Sequence, residues 1–208
     1  MPRRRVTGAL DAAAIPSYRR LMTLLTDTLA PTSVPEISAA ERAARLTEAG
    51  AAWGERIAAN PASAQLTYRV SGEGEGSVAS SIRAGKHTFL VDEPGALEGD
   101  DVAASPVEYA LGALISCQIV VYRLYAQGLG IVVDDIRIDA EADLDARRLF
   151  GIDETVRAGF SDVRLTITIT GPESDERYQQ LRDVVDAHCP VLDLFANPTP
   201  VSAVVRTA

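Results

Sequence analysis

One long apolar stretch, residues 105–128, constrains the fold more than any other part of the sequence. It opens with Ser105 and Pro106, and Glu108 follows three residues after the serine. Serine is a good helix N-cap, proline suits the first helical position, and a glutamate at this spacing completes a capping box. Gly128 comes after the apolar residues and can take the left-handed conformation that ends a helix. The pattern predicts a helix over 106–127.

This predicted helix is apolar on most of its sides, so we expect it to be largely buried. Three small residues, Gly112, Ala113 and Ser116, form a face that another backbone could approach closely. The main apolar stripe places Cys117 in mid-helix. A thiol there is either inert packing or a reactive group, and it should have a raised pKa unless a cation reaches it. The stripe consists of Ala110, Leu114, Cys117, Val121 and Leu124.

Composition excludes several classes of function. The formal net charge of −9 disfavours nucleic acid as a partner, because binding phosphates requires surplus lysine and arginine. No apolar run approaches the roughly 20 residues that span a bilayer, so we expect no membrane segment. The amino terminus has no apolar run of the signal-peptide type, and a cytoplasmic, reducing compartment is expected. There, the chain's 2 cysteines should be free thiols or a transient catalytic pair.

The amino-terminal part, residues 1–60, reads as a helical extension. Residues 1–15 show no regular pattern, and helical spacing of apolar residues predicts helices over 17–30 and 38–60. Asn60-Pro61 ends the second helix, because the residue before a proline avoids helical geometry. We expect this extension to pack on the surface without supplying catalytic groups. Residues 61–208 form the second predicted domain.

The second domain mixes strands with helices. Alternating apolar and polar residues predict strands, with a glycine-rich hairpin loop at 71–76 and an acidic loop at 92–101. The carboxylate spacing of the acidic loop is not that of an EF-hand. A helix follows from residue 175 and ends at His188, after which a short helix covers 191–196. The predicted strands are 66–70, 78–82, 88–91, 131–140, 163–170 and 201–205.

The second cysteine, Cys189, is followed by Pro190 and falls at or beside the N-cap of the short helix. A helix N-terminus stabilises a thiolate, which favours chemistry at this residue. His188 is adjacent in sequence, but neighbouring residues do not face one another on a helix, so a surface or capping role is expected. No cysteine and histidine cluster has the spacing of metal ligands.

Several motifs together resemble the OsmC/Ohr family of bacterial thiol proteins. They are the acidic Asp92-Glu93-Pro94 loop, Ser105-Pro106 before a buried helix that carries a cysteine, Cys189-Pro190-Val191, and Asn197-Pro198-Thr199-Pro200-Val201. The resemblance covers residues 65–208. It implies an α+β fold, with a curved, mainly antiparallel sheet wrapped on two central helices, to which this chain adds its amino-terminal helical extension. It also implies a homodimer without metal or organic cofactor, in which Cys117 is the peroxidatic and Cys189 the resolving thiol.

Two positions depart from the family pattern. Family peroxidases carry an arginine in the first hairpin loop, where this chain has Glu73 and Glu75. They also have a glutamate directly after the helix-starting proline, whereas here that position is Val107 and the glutamate is Glu108. We expect Glu108 to cap the helix rather than to face the thiol. Three arginines on predicted strands could replace the missing one, and the sequence leaves the choice among them open: Arg69, Arg83 and Arg164.

The resemblance implies a thiol-dependent peroxidase that reduces organic hydroperoxides and is regenerated by a dithiol. The alternative is a non-enzymatic dimer of the same fold that binds a ligand or senses redox state, because the peroxidase arginine and glutamate are missing from their usual positions. An arginine guanidinium within hydrogen-bonding distance of the Cys117 sulfur would favour the enzyme.

Overall fold

A computed structural model describes residues 34–207, and from Ala39 onward the chain forms one compact unit. The irregular start predicted for residues 1–15 and the helix predicted over 17–30 lie outside the described residues. The division of the chain at residue 60 stays a prediction.

The described chain is an α+β protein with antiparallel strands, which confirms the predicted fold class. The strands form two separate sheets in one protomer: β1, β2 and β3 pair in that order, and β4 pairs with β5. Short 3-10 turns lie at Pro61–Ala64 and Gly95–Leu97. The regular elements are α1 (Ala39–Ala59), β1 (Val70–Glu75), β2 (Ala79–Ala84), β3 (His87–Val91), α2 (Pro106–Leu129), β4 (Asp135–Asp143), β5 (Asp162–Thr170), α3 (Asp175–His188) and α4 (Pro190–Ala196).

Two sequence-based assignments in the sheets are wrong. The glycine-rich segment predicted as a hairpin loop is mostly strand β1, in which Glu73 pairs with Ser81 of β2, and residues 66–69 before it are not strand. Glycines are typical of turns, and the sequence therefore predicted a loop. The strand forms because its pairing with β2 uses backbone groups and does not require side chains. The strand predicted over 201–205 does not form, and Val201 and Val205 are exposed. Pro200 lacks an N–H to donate to a sheet.

The central helix α2 begins as predicted and ends two residues later than predicted. Ser105 and Glu108 form a full capping box: the Glu108 N–H donates to Ser105 Oγ at 3.4 Å, and the Ser105 N–H donates to Glu108 Oε2 at 2.8 Å. The C-cap is Gly130, with φ of 63°, rather than Gly128. The Ile131 N–H donates to the Ala126 carbonyl at 2.8 Å and closes this helix end. Gly128 remains within the helix.

Within the part of the chain that the structure describes, α2 is the one helix long and apolar enough to cross a membrane by length and composition. From the sequence we expected no membrane segment, because no uninterrupted apolar run is long enough. Helix α2 meets the criteria of length and mean hydropathy although it contains polar residues. A helix at the core of a globular domain meets the same criteria. Leu114 and Tyr122 of α2 are fully buried against the rest of the chain, as in a core helix.

The hydrophobic core lies where α2 meets α3, α4 and the β4–β5 hairpin. Strand β4 shows the expected alternation, because Ile136 and Ile138 are buried while the residues between and beside them are exposed. Helix α1 also contacts α2, and Gln127 Nε2 donates to Thr47 Oγ1 at 3.0 Å. The buried cluster comprises Val121, Tyr122, Ala126, Ile131, Ile136, Ile138, Leu181, Val185 and Cys189.

The expected burial of α2 on most sides is only partly met within one protomer. Val120 and Leu124 are 54% and 41% exposed, and the small face of Gly112, Ala113 and Ser116 is exposed as well. The first sheet also leaves apolar side chains uncovered, among them Val70, Phe89 and Leu90. The start of α2 touches this sheet, where the centroid of the Tyr109 ring lies 5.1 Å from that of Phe89 and the Tyr109 hydroxyl donates to the Leu90 carbonyl.

The acidic loop before α2 closes around one buried carboxylate, Asp92, which is 1% exposed. Its Oδ2 accepts from the N–H groups of Asp100 and Val102 at 3.1 and 3.2 Å. Backbone hydrogen bonds, that of Glu93 first and that of Val102 second, hold the pKa of Asp92 below its ordinary value. Gly99 is required because a Cβ there would lie 1.7 Å from the Glu93 carbonyl oxygen. The Asp92 carboxylate thus accepts hydrogen bonds from the backbone of its own loop.

Asp92 should make stability depend on pH. A carboxylate whose folded pKa is lowered stabilises the fold above its unfolded pKa of about 3.9, and this stabilisation is lost as the pH falls through the folded pKa. We expect Asp92→Asn to be less stable than the wild type at pH 7, with a difference that shrinks towards pH 3. Urea unfolding at several pH values measures this.

Asp100→Asn is the matched control, because Asp100 lies in the same loop with an exposed side chain whose carboxylate makes no hydrogen bond within residues 34–207. It should follow the wild type at each pH. A stability difference for Asp92→Asn that stays constant from pH 7 to pH 3 would contradict the assignment.

Candidate active site

Two thiols from distant parts of the sequence meet beside the core. Cys117 lies in the middle of α2, and Cys189 is the N-cap of α4. Cys117 packs against the buried cluster that contains Cys189, its thiol lies near enough to raise the pKa of Cys189, and both cysteines are free. The N-cap position predicted for Cys189 is confirmed. The redox roles of the two residues stay predictions.

The local sequence explains why Cys189 occupies this position. It separates α3 from α4 in an extended conformation, with φ of −83° and ψ of 110°, and Pro190 fills the first position of α4. Its Sγ accepts a hydrogen bond from the Leu192 N–H at 3.4 Å. The sulfur therefore acts as the N-cap of α4, in agreement with the position predicted from the sequence.

The two thiols differ in accessibility. Cys189 is 2% exposed, whereas Cys117 is half-buried. Burial raises the pKa of the Cys189 thiol, the Leu192 N–H acts in the opposite direction, and the neighbouring Cys117 thiol raises it further. Cys189 is therefore held as the neutral thiol near pH 7. A solute that reaches the pair meets Cys117 more readily.

His188 is not arranged as a base for either thiol. Its ring packs on Tyr125, with ring centroids 4.6 Å apart, and its Nδ1 is bonded to the Val184 carbonyl at 2.7 Å. This agrees with the structural role expected from its position beside Cys189.

Among residues 34–207, no arginine donates a hydrogen bond to the Cys117 sulfur. Of the three candidates, Arg164 is committed elsewhere, because it forms ion pairs with Glu141, Asp143 and Asp162. Arg69 and Arg83 line a common depression on the first sheet. Arg83 donates to the Gly85 carbonyl, and Arg69 makes no hydrogen bond or ion pair within residues 34–207.

Glu108 is held at the start of α2 by Ser105, as expected for a capping residue. The hydroxyl of Ser105 first, and its N–H second, lower the pKa of the Glu108 carboxyl. Val107, at the position of the family glutamate, is 43% exposed.

Two buried polar side chains next to the thiol pair escaped the sequence analysis. Gln118 follows Cys117 and donates from Nε2 to Asp186 Oδ1 at 3.5 Å. Gln118 Oε1 and the Tyr122 hydroxyl have no hydrogen-bond partner among residues 34–207. Burial, and then the charge of Asp186, raise the pKa of Tyr122 to about 12. The sequence did contain a signal for this pair, because Gln118 interrupts an apolar helix and stands four residues before Tyr122.

The described residues contain no group of three or more histidine, cysteine, aspartate or glutamate side chains placed to hold a metal ion.

The fold and the thiol pair define a class of α+β protein in which a central helix and a following helix each bring a cysteine to one place. The chain belongs to the OsmC-like protein family, whose sequence pattern matches residues 99–204. The matched range contains both cysteines, and α1 lies outside it. No curated relative matches the chain in sequence.

Solved structures of this family share the fold. An OsmC-like protein from Mycoplasma pneumoniae matches with a TM-score of 0.57 and 14% identity, over 64% of this chain and 89% of that one. The organic hydroperoxide resistance protein OsmC from Legionella pneumophila, also described as a predicted redox protein, matches with a TM-score of 0.50 and 21% identity, over 62% and 89% of the two chains. Likeness at these identities concerns the fold.

The thiol pair leads to an expectation that does not depend on any enzymatic activity. A disulfide forms readily when two Cα atoms lie within about 7 Å, and thiols that are close neighbours in the fold need little backbone movement to meet this requirement. We expect stoichiometric diamide to convert the folded chain to a form with one intramolecular Cys117–Cys189 disulfide. Peptide mapping of alkylated, unreduced protein identifies the bond.

Cys117→Ser and Cys189→Ser are the controls, and neither should form an intramolecular bridge. Disulfides formed only between chains, or thiols that survive the oxidant, would show that the pair cannot close in the native fold.

Proposed function

We propose that this protein is a thiol-dependent peroxidase that reduces organic hydroperoxides through Cys117 and Cys189. The observation that carries the proposal is the proximity of the two thiols in the folded chain, since Cys117 of α2 packs against the buried cluster that contains Cys189. Membership in the OsmC-like family supports it, because solved proteins of the same fold include organic hydroperoxide resistance proteins.

The reaction requires two steps at sulfur and one external reductant. The Cys117 thiolate attacks the distal oxygen of the hydroperoxide, the O–O bond breaks, and the alkoxide leaves as the alcohol after taking a proton. Cys117 is now a sulfenic acid. The Cys189 sulfur attacks the Cys117 sulfur, water leaves, and a disulfide forms. A dithiol then reduces this disulfide and becomes oxidised itself.

The environments of the two thiols support this division of roles. Cys117 is the more accessible of the two, which suits the thiol that meets the hydroperoxide. Cys189 is buried and its raised pKa keeps it protonated, so it does not compete for the peroxide. It lies close to Cys117 and can condense with the sulfenic acid before a second peroxide arrives.

A homodimer would complete this site. The uncovered apolar face of α2 and the uncovered apolar side chains of the first sheet suit burial against a second copy of the chain. A reactive thiolate also requires a nearby cation, which one protomer does not provide within residues 34–207. We infer that Arg69 or Arg83 of one subunit reaches Cys117 of the other.

The second candidate function is a non-enzymatic dimer that binds a ligand or senses redox state. Strand β1 favours it, because this strand carries Glu73 and Glu75 where family peroxidases have an arginine. In that case the Cys117–Cys189 pair would form a disulfide without sustained turnover of hydroperoxide.

Cysteine variants separate the two candidates. We expect wild-type protein with a dithiol to consume cumene hydroperoxide catalytically and Cys117→Ser to lose this activity. Cys189→Ser should complete one turnover, because the sulfenic acid at Cys117 then lacks its partner, and should progress to irreversible oxidation. Peroxide consumption and mass spectrometry of dimedone-trapped protein measure both effects.

His188→Gln is the matched control beside Cys189 and should retain activity, because the ring bonds to backbone and to Tyr125. Normal turnover by Cys189→Ser, or a sulfenic acid that appears first on Cys189, would overturn the roles. If both thiols ignore millimolar peroxide, the protein is a ligand-binding dimer, whereas a disulfide without sustained turnover indicates redox sensing.

Arginine variants test the contribution of the partner subunit. Loss of a cation near a thiolate raises its pKa by one unit or more, so we expect Arg69→Gln or Arg83→Gln to slow peroxide reduction at neutral pH by about tenfold or more. Arg164→Gln is the control, since that guanidinium is held by Asp143 and Asp162. Sedimentation should show a dimer throughout.

Mixed dimers distinguish action between subunits from action within one. Refolding the impaired arginine variant together with Cys117→Ser creates sites that combine the variant's Cys117 with an intact arginine of the other chain. Activity should return if the arginine acts across the interface, and it should stay low if it acts within its own subunit. A folded monomer would refute the dimer.

A further inference from the structure

A cavity of about 320 Å³ lies between α1, the end of α2 and the segment that leads to β4. This volume is at the lower end of the range of about 300–1,000 Å³ found for small-molecule sites. Leu46, Ala126, Ile131 and Val133 provide mainly apolar walls. Two guanidinium groups also line it, Arg42 from α1 and Arg123 from α2. We call this space the α1–α2 cavity.

The two arginines of the cavity have no anionic partner in the described chain. Neither Arg42 nor Arg123 makes a hydrogen bond or ion pair with any residue in 34–207, although both are half-buried. By contrast, Arg45 on the same helix as Arg42 is exposed and ion-paired with Glu41. A guanidinium cannot lose its proton, so a partly buried one favours an anion beside it.

Electrostatics agrees with this geometry. Burial, and then the positive charge of Arg42, lower the pKa of Arg123. The carboxylate of Asp135 acts on Arg123 in the opposite direction but lies too far away to form an ion pair. The two cations are therefore close enough to repel each other in an apolar setting, and one anion between them would relieve the repulsion.

The α1–α2 cavity is separate from the thiol pair. Ala126, in the cavity wall, follows Cys117 by nine residues, which at about 100° per residue places it on the opposite side of α2. The same nine residues correspond to roughly 13 Å along the helix axis. A molecule in the cavity does not reach the sulfur atoms. Arg42 also lies outside the family-matched range 99–204, so the cavity depends on the extension.

We propose that the α1–α2 cavity binds a medium-chain fatty acid, with its carboxylate between Arg42 and Arg123 and its tail along the apolar walls. The planar guanidinium fork matches a carboxylate, which can accept hydrogen bonds on both oxygens. The apolar lining accommodates an unbranched tail, and the tail distinguishes this ligand from small inorganic anions. This binding does not depend on the thiol chemistry.

Calorimetric titration of the full chain with dodecanoate below its micelle concentration tests the proposal. Acetate lacks the tail and dodecanol lacks the charge, so each should bind at least about tenfold more weakly. Hydrogen bonds to a charged group are worth about 1.5–3 kcal/mol, so Arg42→Gln and Arg123→Gln should each weaken dodecanoate binding by about tenfold or more. Arg45→Gln should bind like the wild type.

Three results would overturn the proposal. Dodecanol that binds as well as dodecanoate would remove the role of the arginines, and an equal loss with Arg45→Gln would indicate unspecific attraction to the helix. Dodecyl phosphate that binds at least tenfold more tightly would reassign the head group. If Arg123→Gln does not fold, Arg42→Gln decides, because Arg42 extends from the outer helix α1.

Cys117→Ser separates this proposal from the proposed peroxidase. It should bind dodecanoate with unchanged affinity even though it has lost the peroxidatic thiol. Loss of binding in a folded Cys117→Ser protein would show that the fatty acid occupies the thiol site instead.

Discussion

The burial of the central helix α2 is the constraint on which the rest of the structure depends. Its 24 residues are apolar on nearly all sides, so each side requires a cover. The β4–β5 hairpin, α3 and α4 cover the core side, which carries Leu114 and Tyr122. Helix α1 covers part of another side and leaves a cavity there, lined by two arginines that have no ion-pair partner among residues 34–207. The face with Val120 and Leu124 remains exposed in the single chain, and there we propose that a second copy packs.

The thiol pair follows from this packing. Because α4 must start against α2 for the core to close, the residue at its N-cap faces the middle of the central helix, and that residue is Cys189. One packing contact thus places two sulfur atoms together and gives them different surroundings. Cys117 is partly exposed to solvent, whereas Cys189 is buried and caps α4. In a reaction that involves both sulfurs in turn, the more accessible Cys117 would react first and the buried Cys189 second.

Local patterns in the sequence predicted the features that depend on neighbouring residues. The capping box at Ser105, the strand β5 and the cap position of Cys189 each follow from a few adjacent side chains. Features that depend on distant pairing were missed. The glycine-rich segment of β1 became a strand only because β2 lies beside it, and Val201 to Val205 found no strand to pair with. The proximity of Arg42 and Arg123 could not be predicted from neighbouring residues, since α1 and α2 are far apart in the sequence.

The double role of the Cys189 sulfur links oxidation to the end of the chain. In the reduced protein this sulfur accepts the Leu192 N–H and closes the first turn of α4. A bond to Cys117 would turn the sulfur towards α2 and leave that N–H to find water or another acceptor. The seven residues of α4 would then hold their helical turn less firmly. Oxidation of the thiols would thereby loosen α4, so the redox state of the pair would change the order of a helix that takes no part in the reaction.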